Sequence, residues 1–236
     1  MSERNTSILQ NVAARERTIL KNVYLWMTAG LGLTALIAFF VASNPPLLRA
    51  LVGNTMGFLL IVVGQFALVF YLSARLDRMS QASAIGAFLA YSALNGIMLS
   101  TIFAVYAGVV IYKTFFTTAL MFGGMSIYAM TTKRDLNRFG SYLVMGLWGL
   151  IIASLINMFF RSSGLEYLIS FIGVGIFLGL TAWDTQKIIR MNEQYGSGID
   201  EETFTKLSII GALSLYLDFL NLFLFFLRIF GRSNNR

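Results

Sequence analysis

Two aspartates, Asp184 and Asp218, lie inside the last two apolar segments of this 236-residue chain. A carboxylate in the hydrocarbon core of a membrane costs ~3 kcal/mol or more, so such a residue is interpreted first as functional. The chain contains no histidine that could share the work of titrating near neutral pH. The two acids therefore indicate proton-sensitive gating or the passage of an ion.

The two aspartates differ in their predicted depth. Asp184 lies about one turn from the end of its segment, where an ion pair with Lys187 at i+3 would suit a merely interfacial residue. Asp218 lies ~16 Å along its helix, too deep for a short side chain to reach water. Ser214 and Asn221 share the face of Asp218, which gives the segment a polar stripe. This stripe must face protein or water, and a protonated aspartate that only joins helices is the alternative.

The composition is that of a protein dissolved in lipid. Hydrophobic residues make up 57% of the chain and charged residues 12%, with a mean hydropathy of +0.71, whereas soluble domains carry about 25% charged residues. The net charge of +7 comes from Lys and Arg in short loops, which predicts topology rather than nucleic-acid binding. Since the chain has neither Cys nor His, disulfides, thiolate metal sites and a Ser-His-Asp triad are excluded.

Seven apolar segments have about the 20 residues that a helix needs to cross the hydrocarbon core. They are residues 23–43, 56–73, 82–106, 114–130, 141–160, 167–189 and 207–230. The predicted fold class is therefore an all-α integral membrane protein with seven transmembrane helices. We expect one transmembrane domain at 23–230, preceded by a cytoplasmic segment at 1–22 and followed by a short tail at 231–236.

The distribution of Lys and Arg predicts the orientation. Twelve of the 18 lie on the side of the N-terminus and of the 190–206 loop, and six lie on the other side. Cytoplasmic loops carry the excess of positive charge, so we expect a cytoplasmic N-terminus and an external C-terminus. Three of the outer six, Arg228, Arg232 and Arg236, follow or end the seventh segment. A seventh segment that turned back would also explain them.

Other polar and small residues within the segments are weaker indications of a functional role. Asn95 lies on a polar, small-residue face of the third segment, and we interpret it as part of a polar pathway or as a packing contact. The Gly175-x-x-x-Gly179 spacing and the Gly123-Gly124 pair predict sites where helices pack closely.

Four ordered motifs carry a family resemblance. They are Thr-Ala-Trp-Asp-Thr-Gln-Lys at 181–187, Leu-Tyr-Leu-Asp-Phe-Leu-Asn-Leu-Phe-Leu at 215–224, Tyr-Ser-Ala-Leu-Asn-Gly at 91–96, and Phe-Gly-Gly-Met-Ser-Ile-Tyr at 122–128 followed by Thr-Thr-Lys-Arg-Asp-Leu at 131–136. These motifs resemble the Bax inhibitor-1 family of membrane proteins. The resemblance covers the chain from Tyr24 to Gly231, and the short loops and tails look like those of a bacterial member.

The resemblance implies seven helices with the seventh lying centrally among the other six. It implies a calcium leak controlled by pH through a pair of aspartates, which match Asp184 and Asp218 and would also bind calcium transiently. In some members an arginine at the end of the second helix latches the first aspartate, and Arg75 or Arg78 is the match here. The implied location is a bacterial inner membrane, with the lipid bilayer, calcium and protons as partners, no nucleic acid, and no cofactor beyond the transported calcium.

The physics of two neighbouring carboxyls agrees with that implication. Like charges in a low dielectric cannot both ionise cheaply, so the pair shares one proton. Loss of the last proton replaces a hydrogen bond between two helices with repulsion, which makes the pair a pH-biased bistable element. The ionised oxygens are also hard ligands that suit Ca²⁺.

Several other functions compete with a leak. A proton-coupled transporter would use buried carboxylates equally well, and a membrane scaffold would need them only for structure. An intramembrane aspartyl protease would resemble Tyr-Asp paired with Gly-x-Gly-Asp, but Trp183 precedes Asp184 and no Gly-x-Gly precedes Asp218, so we expect no enzyme. A retinal protein needs a lysine deep in the seventh segment, whereas Lys206 is at its edge.

Overall fold

The computed structural model describes residues 2–75, 78–195 and 200–233, with side chains described at 19–75, 78–191 and 200–231, and these residues form helices joined by short turns. The helices are α1 Ser2–Ala42, α2 Pro45–Leu51, α3 Thr55–Arg75, α4 Gln81–Val105, α5 Gly108–Thr131, α6 Asn137–Phe160, α7 Ser163–Tyr195 and α8 Glu201–Ser233. The predicted all-α fold class is confirmed. Parts of the predicted 190–206 loop and 231–236 tail, residues 196–199 and 234–236, lie outside the described residues, as does Met1.

Seven of these helices, all except α2, are long and apolar enough to cross a membrane. The apolar spans are Ile19–Ala42, Thr55–Arg75, Gln81–Val105, Gly108–Thr131, Asn137–Phe160, Ser163–Met191 and Glu201–Gly231. Seven predicted segments are thereby confirmed in number and in order. Span Glu201–Gly231 is the most buried, with 72% of its apolar window inside the protein against at most 39% for any other. The central position of this span stays a prediction.

The helices α7 and α8 are longer than the apolar segments from which they were predicted. Helix α7 continues to Tyr195 and α8 begins at Glu201, whereas the segments end at 189 and begin at 207. The reason is that hydropathy marks only the part of a helix in lipid, while caps mark where the helix ends.

Asp200 provides the cap that starts α8. Its carboxylate accepts hydrogen bonds from Thr203 Oγ1 at 2.7 Å and from Thr203 N at 3.1 Å. These two bonds hold the pKa of the Asp200 carboxyl below its usual value. The cap therefore extends the helix beyond the apolar run.

Helix α2 lies where the sequence predicted only the end of the first segment. The Asn44 side chain accepts a hydrogen bond from Leu47 N at 3.2 Å and caps the helix. Pro45 and Pro46 occupy its first positions, where a missing N–H is harmless and the fixed φ suits a helix. The same prolines that end α1 thus begin a short helix.

The described chain divides into two compact units. The first comprises Met1–Val105 with Ile188–Tyr216, and the second comprises Tyr106–Lys187 with Leu217–Arg236. The second unit contains α5, α6, most of α7 and the second half of α8. Asp184 and Asp218 both belong to this unit. The single domain expected at 23–230 stays a prediction.

Tyr216 organises the core of the first unit. Its hydroxyl lies 2.6 Å from Thr34 Oγ1, which also donates to Ser92 O at 2.9 Å. Phe88 and Tyr91 pack edge-on against its ring, with centroids 5.8 and 5.9 Å away. These contacts attach the first half of α8 to α1 and α4.

Glycines set the closest helix contacts of the second unit. A Cβ on Gly179 would lie 2.6 Å from Leu143 Cδ2, which confirms close packing of α7 on α6 at one end of the predicted Gly175-x-x-x-Gly179 spacing. Among the residues that the structure describes, nothing lies within 4 Å of a Cβ built on Gly175, Gly123 or Gly124. The prediction of close packing was wrong at these three positions, because glycine spacing alone does not tell which face meets a neighbour.

Candidate functional site

Asp218 lies within α8 and is 4% exposed. Its Oδ2 has no hydrogen-bond partner among the residues that the structure describes. The next residue, Phe219, packs between Phe115 and Phe122 of α5, with ring centroids 5.7 and 5.5 Å away. The Asp218 carboxyl is thus held on α8 next to a residue that packs in an aromatic cluster.

Asp184 lies on α7, is half-buried, and interacts electrostatically with Asp218. The two predicted residues belong to the same unit, without a hydrogen bond between their carboxyls among the described residues, and the pairing of these carboxyls stays a prediction. Lys187 is a second electrostatic neighbour of Asp184. Its Nζ lies over the Trp183 ring, 5.3 Å from the centroid, rather than within ion-pair distance of the Asp184 carboxyl.

Two side chains anchor α7 on either side of Asp184. The Trp183 ring lies against α6, where a Cβ added to Gly140 would be 2.5 Å from its Cε2. Gln186 accepts a hydrogen bond from Leu136 N at 3.0 Å. Its Nε2 donates to the carbonyl oxygens of Arg134 at 3.0 Å and Ala129 at 3.4 Å.

Gln186 was not predicted from the sequence as part of the site. Its signal was present, since an amide inside an apolar span must find polar partners. The partners are backbone groups of the segment that joins α5 to α6, and no pattern of side chains could reveal them. Gln186 therefore ties that segment to the helix turn that carries Asp184.

Ser126 is another residue that sequence reasoning missed. It is 3% exposed, and its Oγ lacks a hydrogen-bond partner among the described residues. It lies one turn beyond Phe122 on the buried face of α5, and Phe122 contacts Phe219. The second unit thus contains two buried oxygens, on Ser126 and Asp218, without a hydrogen-bond partner among the described residues.

The other predicted polar residues bond within their own helices or remain unassigned. Asn221 Nδ2 donates to Leu217 O at 2.8 Å, and Asn95 Nδ2 donates to Tyr91 O at 2.9 Å. Ser214 is half-buried on the part of α8 that belongs to the first unit. The roles predicted for Asn95, Ser214 and Asn221 in a pathway or in packing stay predictions.

The two candidate latch residues belong to the first unit. Arg75 is the last residue of α3, and both Arg75 and Arg78 are exposed. The latch stays a prediction.

The described residues contain no group of three acids that could hold a metal ion permanently. Calcium requires six to eight oxygen ligands, so the two carboxyls alone supply only part of a coordination shell. The predicted transient binding of calcium by the two carboxyls stays a prediction.

Comparison with known proteins gives a consistent result. Residues 16–235 match the family model described as Inhibitor of apoptosis-promoting Bax1. The chain is 46% identical to a protein of Escherichia coli strain K12 named Inner membrane protein YbhL, over 97% of each chain. It is 44% identical to an uncharacterized protein of Borreliella burgdorferi, over 94% of this chain and 97% of the relative.

A third relative is an uncharacterized membrane protein of Streptococcus pyogenes serotype M6. It is 38% identical, over 90% of this chain and 91% of its own. The agreement between seven apolar helices, the matched residues and these full-length relatives identifies the class of protein. The chain belongs to the Bax inhibitor-1 family of membrane proteins.

Proposed function

We propose that this protein is a calcium leak channel of a bacterial inner membrane whose flux depends on pH through Asp184 and Asp218. The observation that carries the proposal is the burial of Asp218, which is 4% exposed, in the same unit as Asp184 on the last two spans. The name of the Escherichia coli relative supports an inner-membrane location. We place the N-terminus in the cytoplasm on the distribution of Lys and Arg.

The proton that the pair shares would bias the arrangement of α7 and α8. Two unit charges 5–8 Å apart repel by about 2–3 kcal/mol at an effective dielectric constant of 20. This energy is comparable to the few kcal/mol that separate two conformations of a bistable protein. With one proton present, the carboxyls can form a hydrogen bond between the helices. With none, they repel each other, and Lys187 offsets part of that charge.

Anchors close to each carboxyl make the pair effective as a switch. Helix α7 is attached to α6 and to the α5–α6 segment through Trp183 and Gln186. Helix α8 is attached to α5 through Phe219 and to α7 through Phe225, whose ring lies 5.8 Å from that of Phe177. Because each helix is held by neighbours, a change of force between the carboxyls is transmitted to packed elements.

Calcium is the transported ion in this proposal. The ionised carboxylates offer hard oxygen ligands, and the Ser126 hydroxyl is a further buried oxygen in the same unit. Ligands that are few and incomplete bind an ion weakly, which conduction requires because the ion must also leave.

The test is a measurement of calcium flux, from about pH 5 to about pH 8, into liposomes that contain only this protein. We expect wild-type flux to change with pH around neutrality. Asp184→Asn and Asp218→Asn each leave one carboxyl without its like-charge partner, so the pH response should flatten. Asp200→Asn is the matched control, because this exposed aspartate lies outside the spans and asparagine also caps helices.

The outcome distinguishes the competing functions. Wild-type midpoint and slope in both Asn variants would show that the pair is not the sensor, and would favour the scaffold. Saturable uptake that follows a proton gradient would favour a proton-coupled transporter. Monodisperse behaviour of both variants in detergent would show that the fold has survived, since asparagine keeps the shape of aspartate.

A further inference from the structure

A second polar site lies in the second unit, away from the aspartates. The end of α6, the start of α7 and the end of α8 surround a cavity of about 360 Å³. Its polar lining comprises Ser154, Asn157, Arg161, Glu166 and Arg228. These residues come from three different elements, so the cavity is a product of the tertiary fold.

Three charged side chains line this cavity without neutralising one another. Among the described residues, Arg161, Glu166 and Arg228 form no ion pair, and their side chains form no hydrogen bond. The Arg228 guanidinium lies over the Phe225 ring, 5.4 Å from its centroid, which orients it and leaves its N–H groups available. Two positive charges and one negative charge leave the cavity one positive charge in excess.

The backbone at Arg161 is adapted to hold an arginine where glycine is usual. Arg161 has φ 48° and ψ 35° at the end of α6, and it is the one non-glycine residue with positive φ among the described residues. Hydrogen bonds from Arg161 N to Asn157 O at 2.7 Å and from Ser162 N to Asn157 Oδ1 at 3.0 Å stabilise the turn. A left-handed non-glycine residue costs roughly 1 kcal/mol or more, so the site retains a guanidinium despite strain.

The cavity lies where an apolar span meets the polar end of its helix. On α6, Phe159 and Phe160 are 80% and 77% exposed, and Leu168 on α7 is 55% exposed. In a membrane protein, apolar side chains with such exposure at the ends of spans face lipid. The charged cavity therefore lies at the depth of phospholipid headgroups, beside surfaces suited to acyl chains.

We propose that this cavity binds the headgroup of a phospholipid through its phosphodiester. Arg161 and Arg228 would each donate hydrogen bonds to the phosphate oxygens, which planar guanidinium groups bind in bidentate fashion. The single excess positive charge matches the single negative charge of a phosphodiester. Glu166 would accept a hydrogen bond from an amine or hydroxyl on the headgroup, and the acyl chains would lie along Phe159 and Leu168.

The experiment is native mass spectrometry of the full-length protein in detergent with added phosphatidylglycerol. We expect wild type to retain bound lipid, and Arg161→Gln with Arg228→Gln to weaken retention roughly tenfold or more, because each charged hydrogen bond is worth more than a tenfold change in affinity. Arg49→Gln is the matched control, since Arg49 is an exposed arginine on α2 that does not line this cavity.

Further arms separate the sources of the phosphate. Phosphatidylcholine, whose headgroup has no hydrogen-bond donor, should bind wild type more weakly than phosphatidylglycerol, and Glu166→Leu, which removes the acceptor, should reduce that difference. Displacement of lipid by inorganic phosphate would instead assign a free-anion site and overturn the proposal. Arg161→Lys keeps the positive charge but loses the planar guanidinium that binds phosphate through two N–H groups. This single variant should therefore weaken lipid retention, and it tests the proposal even if the double variant fails to fold. Wild-type retention in both arginine variants would also overturn it.

Discussion

The Asp218 side chain is costly to bury with one of its oxygens unsatisfied by the described residues. A buried polar atom without a partner costs ~1–3 kcal/mol, and an ionised one costs more. A second carboxyl, on Asp184, increases this cost through like charge. A cost of this size, placed on the most buried span, is typical of a functional site rather than of packing.

Gln186 lies two residues from Asp184, and both its amide oxygen and its amide nitrogen have hydrogen-bond partners. Removal of this side chain should therefore have a measurable effect on stability. Gln186→Ala would leave Leu136 N without an acceptor and two carbonyl oxygens without a donor. We expect a loss of about 1–3 kcal/mol in the free energy of unfolding and faster proteolysis between α5 and α6. The measurement is thermal unfolding in detergent combined with limited trypsin digestion at Lys133 and Arg134.

Gln65→Ala is the control for this prediction. Gln65 is half-buried on α3, and the described residues give its side chain no hydrogen bond. An equal loss of stability in both variants would show that the effect comes from helix packing and not from the hydrogen bonds between Gln186 and the α5–α6 segment.

Close contact between α6 and α7 fixes the helix that carries Asp184. A Cβ on Gly140 would lie 2.5 Å from the Trp183 indole, so Gly140→Ala should displace the ring and cost about 1–3 kcal/mol as overpacking does. Gly149→Ala on the same helix would place a Cβ with no atom of the described residues within 4 Å, and should be neutral or stabilising because alanine favours helix.

Tryptophan fluorescence tests whether the indole moves. With Trp26 and Trp148 changed to Phe, emission reports Trp183 alone. A shift of emission and of the unfolding temperature in Gly140→Ala, with neither in Gly149→Ala, is the expected result. Identical behaviour of the two variants would contradict this contact.

At the scale of elements, the hydropathy of the sequence predicted the apolar spans. It did not predict helix ends or contacts that depend on residues distant along the chain. The seven spans followed from apolar runs of the right length, whereas the pairing of Asp184 with Asp218 stays a prediction. The overhang of α8 to Glu201 was missed because its cap at Asp200 stands in a polar stretch. Gln186 was missed because its partners are backbone groups about 50 residues away along the chain. Contact at Gly179 but not at Gly175 depends on which side of α7 faces α6.

At the scale of the whole molecule, α8 is the element that the two units share. Its first half contributes Tyr216 to the first unit, and its second half contributes Asp218 and Phe219 to the second. Tyr216 and Asp218 are two residues apart on this helix, and the boundary between the two units falls between them.

The topology of the protein depends on whether α8 crosses the whole bilayer. Helix α8 runs unbroken through 33 residues, about 50 Å by helix rise, whereas the hydrocarbon core is about 30 Å thick. A segment that turned back within the membrane would require a break, and α8 has none between Glu201 and Ser233. We therefore expect the C-terminus on the side opposite to the loop between α7 and α8, with that loop and the N-terminus in the cytoplasm. Green fluorescent protein, which fluoresces in the cytoplasm, should be dark after Arg236 and bright when inserted between Tyr195 and Asp200, while alkaline phosphatase should show the reverse. Fluorescence at both positions would place both ends of α8 on the same side, and would show that this helix does not cross the bilayer.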